Sequence, residues 1–168
     1  MDIKSMTLQE LEECMKSLQE PKFRGKQLYE WMHKHLAFSW DEMKNIPKKL
    51  KEKISNAGYE MYGVKKEDCF VSKLDGTRKY LFRLHDGNII ESVFMKYKHG
   101  NSVCISSQAG CRMGCRFCAS TLGGLDRNLE PSEMLSQIYF IQKDIGERIS
   151  HVVMMGTGEP LDNDQNVL

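Results

Sequence analysis

The sequence predicts an α+β chain that passes into an α/β one, and three observations predict it. Apolar residues recur at helical spacing through the first sixty positions. They then fall into strand-length runs broken by Asp-Gly pairs, and the last third reads as strand, loop, helix, strand. The corresponding boundaries are 1–66 for a small helical domain, 67–97 for an antiparallel β extension and 98–168 for a unit with parallel strands. A hydrophobic content of 40% is enough to give such a chain a core, as one domain or two small ones.

The helices come first. Leu8, Leu11, Met15 and Leu18 mark one side of a helix from Thr7 to Leu18, with Thr7 and Glu10 placed as a capping box and Cys14 beside the stripe as a small core residue. A second helix from Arg24 to Leu36 carries Leu28, Trp31, Met32 and His35 along one side. A third runs from Pro47, suited to a first turn, to Ala57, and Gly58 stops it.

The period changes near Cys69. Strands are expected over Cys69 to Leu74, Arg78 to Leu84 and Asn88 to Lys96, joined at Asp75-Gly76 and Asp86-Gly87 as an antiparallel meander. Cys69 reads as structural, and Glu91 stands as a lone carboxylate in Ile89-Ile90-Glu91-Ser92-Val93, where facing water is its simplest explanation. Ser102 to Ser107 is a further strand, Pro131 to Ile145 a helix ended by Gly146, and His151 to Met155 a continuous apolar strand. Together they predict a βαβ unit with parallel strands, whose ligand sites gather at the carboxyl ends of the strands.

Charge is unevenly spread. Pro21 to Lys66 holds eleven Lys or Arg against five Asp or Glu, leaving thirteen against eighteen for the rest. In this basic stretch Lys22, Arg24, Lys26, Lys44, Lys48, Lys49, Lys51 and Lys53 alternate with Tyr29, Trp31, His33, His35 and Trp40. A solvated helical face would explain the charges alone, whereas the interleaved aromatics suit phosphate contacts and stacking on nucleic acid. With no signal peptide and no long apolar stretch, the six cysteines point to a reducing cytoplasm and no membrane.

Three of those cysteines, Cys111, Cys115 and Cys118, follow a C-x3-C-x2-C spacing. A loop this short can direct three thiolates at one [4Fe–4S] cluster and leave its fourth iron without a protein ligand. Structural zinc is the alternative, with Cys104 as a fourth ligand, although zinc sites usually show paired knuckles set a dozen or more residues apart. One βα unit later comes Gly156-Thr157-Gly158-Glu159-Pro160. An open iron beside a glycine turn ending in an acid suits a ligand with an amine and a carboxylate near its reactive atom, such as S-adenosylmethionine. Gly158 would allow close approach and Glu159 would accept from the ammonium.

Cys104-Ile105-Ser106-Ser107-Gln108-Ala109-Gly110-Cys111, Phe117-Cys118-Ala119, Arg127-Asn128-Leu129 and Gly156-Thr157-Gly158-Glu159-Pro160-Leu161 resemble the radical S-adenosylmethionine superfamily and, within it, the RlmN/Cfr family of adenosine methyltransferases. The resemblance covers essentially the whole chain. It implies a partial (β/α)6 barrel, of which this chain holds the first βαβ unit, and methylation of an adenine ring carbon in 23S rRNA and in tRNA. C2 of adenine carries no acidic proton, so the chemistry is radical: a methylated cysteine near the carboxyl terminus donates its carbon, and a second cysteine releases the product by forming a disulfide.

Carried onto this sequence, the resemblance makes Cys111, Cys115 and Cys118 the cluster ligands, Gly158 and Glu159 the S-adenosylmethionine contacts, Cys104 the transient disulfide partner and Glu91 the proton acceptor. A buried strand glutamate in an apolar setting would suit that last role. Pro160 and the Ala-Ser-Thr after Cys118 resemble the C2 branch, and a C8-specific enzyme is the alternative, as is a zinc-stabilised RNA-binding module without catalysis. The implied partners are 23S rRNA, tRNA, an electron donor such as flavodoxin, and the remaining barrel strands. Because the chain stops at Leu168 without the methyl-carrying cysteine, it is expected to be inactive alone and to leave a sheet edge and an apolar face uncovered.

Overall fold

A computed structural model describes residues 1–168 and divides them into two compact units, Met1–Tyr62 and Gly63–Leu168. The first unit is helical. α1 (Leu8–Ser17) begins at Thr7, whose hydroxyl accepts from Glu10 N while the Glu10 carboxylate accepts from Thr7 N at 2.7 Å, the expected capping box. α2 (Phe23–His33) and α3 (Lys48–Asn56) follow, and Pro47 stands at the N-cap of α3, where its missing N–H costs nothing. Leu11, Met15, Leu28, Met32, Met43 and Ile54 form the centre of this unit with no exposed surface. The amino terminus is tied in by Ile3 N donating to Glu60 O at 2.8 Å.

Gly25 lets α1 and α2 approach. A Cβ at that position would lie 2.8 Å from Glu12 N and 2.9 Å from the Leu11 carbonyl carbon, closer than real side chains come to backbone.

The second unit is built on a five-stranded sheet. Its strands are β1 (Lys65–Val71), β2 (Arg78–Arg83), β3 (Ile89–Tyr97), β4 (Gly100–Cys104) and, after an excursion, β7 (His151–Val153), in the order β1-β2-β3-β4-β7. Asp75 and Asp86 shape the meander turns, accepting from Thr77 N at 3.1 Å and Asn88 N at 3.0 Å. β1 to β4 pair antiparallel, and β4 pairs parallel with β7 in the register Ser102 with His151 and Cys104 with Val153. The meander is not set apart at residue 97, since β3 pairs directly with β4 and the sheet runs on.

The excursion holds β5 (Gln108–Gly110), β6 (Leu125–Asn128) and α4 (Pro131–Ile145), with β5 and β6 paired antiparallel as a separate ribbon. α4 starts at Pro131 and stops where Gly146 turns left-handed. It shares a core with one face of the sheet: Tyr80, Phe82, Ile90, Phe94 and Val103 meet Met134 and Ile141, and Phe140 sets its ring edge-on to Phe82 at 5.3 Å. β7 is an edge strand, all three of its residues are exposed, and its run of apolar side chains is not buried. No helix is long and apolar enough to cross a membrane.

Candidate functional site

Alternation along β3 decides which way Glu91 points. Ile90, Ser92 and Phe94 are buried on the face that meets α4, so Glu91 and Val93 belong to the opposite face. Cys104 pairs with Val93 and therefore shares that face with Glu91 on the adjacent strand. The apolar burial expected of Glu91 is not found. Its carboxylate is about half exposed and lies 2.7 Å from Lys79 Nζ, because Lys79 projects from β2 on the same face. Burial pushes the Cys104 thiol above its ordinary range, and a backbone hydrogen bond with Met155 works against that rise.

Beyond β4 a buried polar network fixes the strand end. Gln137 of α4, fully buried, accepts from Ser92 Oγ at 2.7 Å and from Ser106 N at 2.9 Å, and donates to Ser106 O at 3.0 Å. Ser106 Oγ donates to Glu91 O at 2.7 Å and accepts from Thr157 N at 3.0 Å. One hydroxyl thus connects the strand of Glu91 to the glycine turn.

That turn lies directly against β5. Thr157 O accepts from Ser107 N at 3.0 Å and from Gln108 N at 3.2 Å, while Glu159 N donates to Gln108 Oε1 at 2.9 Å. Gly158 takes φ +106°, and a Cβ there would lie 2.6 Å from Gln108 Cβ. Glycine is therefore required by contact with this chain's own β5. The Glu159 carboxylate caps the following 3-10 turn (Pro160–Asn163), accepting from Leu161 N at 3.1 Å.

The cysteine loop spans the end of the β5–β6 ribbon. Its base is closed by Cys111 N donating to Gly124 O at 2.8 Å and by Thr121 Oγ1 donating to Cys118 O at 2.9 Å. Cys111 is buried, Cys118 half-buried and Cys115 exposed on the turn at Gly114; all six thiols of the chain are free, so no disulfide involves Cys104. The donor chemistry, three thiols in one loop, fits a thiophilic cluster. In this conformation no three His, Cys, Asp or Glu side chains stand together as a metal-holding group. Cys111 follows a packed strand end, residues 112–117 are all exposed, and Cys115 and Cys118 are tied to each other by Cys118 N donating to Cys115 O at 3.1 Å.

Several positioning residues carry no signature that sequence reading could use. Gln108, Gln137 and Asn163 are buried amides, and Asn163 donates to Ser107 O and Leu129 O at 2.9 Å each. Arg127 was part of a motif, but its role emerges only in three dimensions. It pairs both guanidinium ends with the fully buried Glu133 at 2.7 and 2.8 Å and also bonds Asp86, fastening β6 to α4 and to the β2–β3 turn. The guanidinium in turn holds the Asp86 carboxyl well below the ordinary carboxylate range.

In the helical unit the basic stretch divides. Lys22, Lys48 and Lys53 pair with Glu12, Glu52 and Glu20, and Lys51 donates to Trp40 O, whereas Lys26, Lys44 and Lys49 are exposed without an ion pair. Trp31 and Trp40 pack against the core, and Trp31 Nε1 donates to Asn45, so they act structurally. Phe23 and Tyr29 remain exposed, with Arg24 set 4.9 Å over the Phe23 ring.

Known proteins supply the context. Residues 1–59 match the family model described as "Ribosomal RNA large subunit methyltransferase N-terminal domain". The chain is 58% identical over 165 residues to the "Probable dual-specificity RNA methyltransferase RlmN" of Lachnoclostridium phytofermentans, covering 98% of this chain and 46% of the relative. It is 59% identical over 167 residues to the protein of the same name in Lachnospira eligens, covering 99% and 47%. Among solved structures it is similar to a radical SAM methyltransferase from Sphaerobacter thermophilus, with TM-score 0.89 and 35% identity over 99% of this chain and 49% of that one. The chain spans about half the length of the curated relatives it matches.

Proposed function

We propose, from the premise that this chain belongs to the RlmN family, that it supplies the cluster loop and part of the cofactor site of a radical S-adenosylmethionine methyltransferase acting on C2 of adenosine in 23S rRNA and tRNA. The observation that carries this reading is the fastening of the C-x3-C-x2-C loop and the Gly-Thr-Gly-Glu-Pro turn to the same short strand, β5. β4 and β7 would be the first two strands of a six-strand partial barrel, with α4 on its outside.

Cys111, Cys115 and Cys118 would hold a [4Fe–4S] cluster, and the turn at Gly158 and Glu159 would take the amino-acid end of S-adenosylmethionine. Bound there, the pair supplies one-electron cleavage of the sulfonium. This chain's own residues do the rest of what is proposed for it. The Glu159 carboxylate would accept from the ligand ammonium while still capping Leu161 N, since a carboxylate has acceptor capacity to spare. Cys104 and Glu91 stand on one face of neighbouring strands. From there Glu91, paired with Lys79, would accept the proton from the base, and Cys104 would form a disulfide with the methyl-carrying cysteine as the bond from that sulfur to the product's carbon breaks. The unpaired Lys26, Lys44 and Lys49 with exposed Phe23 and Tyr29 would contact RNA phosphates and bases.

Anaerobic purification and reconstitution followed by metal and sulfide analysis tests the reading. Iron and acid-labile sulfide in near-equal amounts, lost in Cys115→Ala, are expected; one zinc per chain and no sulfide would end it.

A further inference from the structure

One side-chain bridge, contained in neither motif, joins the cysteine loop to the glycine turn. Arg112, the residue after Cys111, carries its guanidinium to Asp162, two residues beyond Pro160, with NH2 and Nε at 2.5 and 3.2 Å from the same oxygen, Oδ1. The other oxygen, Oδ2, accepts from Gln108 Nε2 at 2.9 Å, and Gln108 Oε1 accepts from Glu159 N at 2.9 Å. A continuous path of three side chains therefore runs from the first cysteine to the acid of the turn.

The two ends of this path differ in burial. Gln108 is fully buried and the Asp162 side chain only 12% exposed, whereas the Arg112 side chain is 64% exposed. A bridge with a solvent-facing arm contributes little to global stability. Its geometry is nonetheless restrictive, because Asp162 cannot swing toward the arginine without leaving Gln108. Arg112 is also the only side chain between Cys111 and Cys118 that bonds a residue outside the loop. The rest of residues 112–117 is exposed.

We infer that the Arg112–Asp162 bridge is a positioning latch that couples the cysteine loop to the glycine turn, so that capture of a cluster by the loop and binding of S-adenosylmethionine at the turn strengthen each other. The inference rests on the cluster and cofactor assignments proposed above. Coupling of this kind is reciprocal: whatever factor the cluster adds to S-adenosylmethionine affinity, S-adenosylmethionine adds to retention of the cluster.

The variants Asp162→Asn and Arg112→Gln, singly and together, test it. An asparagine with its oxygen turned to Gln108 keeps the buried bond and presents only NH2 to Arg112, so the bridge alone is lost. In the metal-free chain, amide hydrogen exchange at 111–118 and 156–159 is expected to rise together, by roughly tenfold, with little change in thermal midpoint. After anaerobic reconstitution, calorimetry should show S-adenosylmethionine binding about 5- to 150-fold more tightly with the cluster than without it. That ratio should fall several-fold in each variant without reaching one, because the open iron still takes the ligand, fall no further in the double variant, and recover in part in Arg112→Lys. Variants that keep the wild-type exchange and the wild-type ratio overturn the latch alone. A wild-type chain that takes up no iron and sulfide overturns the cluster assignment, and the coupling with it.

Discussion

At Glu91 its two neighbours decide the environment: Ile90 and Ser92 go under α4, and Glu91 goes out to meet Lys79. Both partners of that pair are about half exposed, so Lys79→Ala is expected to change stability by no more than about 1 kcal/mol in urea titrations. His33 is the opposite case. Burial, with the charge of Lys4 adding to it and Asp2 opposing, lowers its pKa from 6.5 to about 4. The unfolded chain therefore binds this proton more readily than the folded one. Stability should decline as the pH falls below 6.5 and stop responding to this group below about 4. Thermal melts across that window check it, with His33→Gln expected to remove the dependence on this group. No sequence pattern marks His33 as half-buried, since its neighbours on α2 spell an amphipathic helix in which it could equally have faced water.

At the scale of elements, local signals were readable wherever a backbone requirement selects a residue type. The capping box at Thr7 and Glu10, the α4 limits at Pro131 and Gly146, and the Asp-Gly turns all rest on such requirements, and each is found as expected. Thr7→Ala should cost about 1 kcal/mol by denaturant unfolding. Gly25 was not readable, because its reason is a neighbouring helix rather than its own dihedrals. Gly25→Ala should cost about 1–3 kcal/mol on the same measurement, as a methyl pushed into the backbone of α1 forces the pair apart. The site shows the same split. Cysteine spacing and the glycine turn could be picked out from sequence. The side chains that fasten them, Gln108, Gln137, Asn163 and Asp162, are polar residues of ordinary type, and only tertiary contact gives them meaning. The apolar run of β7 does not by itself say whether a strand is central or at an edge, and here it stands at the edge.

For the molecule as a whole, the candidate RNA contacts and the candidate site lie in different units. The basic stretch lies mostly in the helical unit, whose eleven Lys or Arg are nearly offset by ten Asp or Glu, and the cysteine loop, the glycine turn, Glu91 and Cys104 all belong to the sheet unit. Replacing Lys26, Lys44 and Lys49 together by alanine is expected to lower affinity for a structured RNA and to reduce the slope of log affinity against log salt by about 2–3, measured by salt titration. The same change should leave iron and sulfide content untouched. Gln108 carries one last consequence, for how the sequence can drift. Its amide must offer oxygen to Glu159 N and hydrogen to Asp162 and Asn128, so its orientation is fixed by its partners. Glutamate has the same shape and lies a single base change away in the genetic code, yet it would set a carboxylate against the carboxylate of Asp162. A replacement one base away from this residue is therefore among its worst, and an alanine, which merely leaves a gap, is expected to be the milder change.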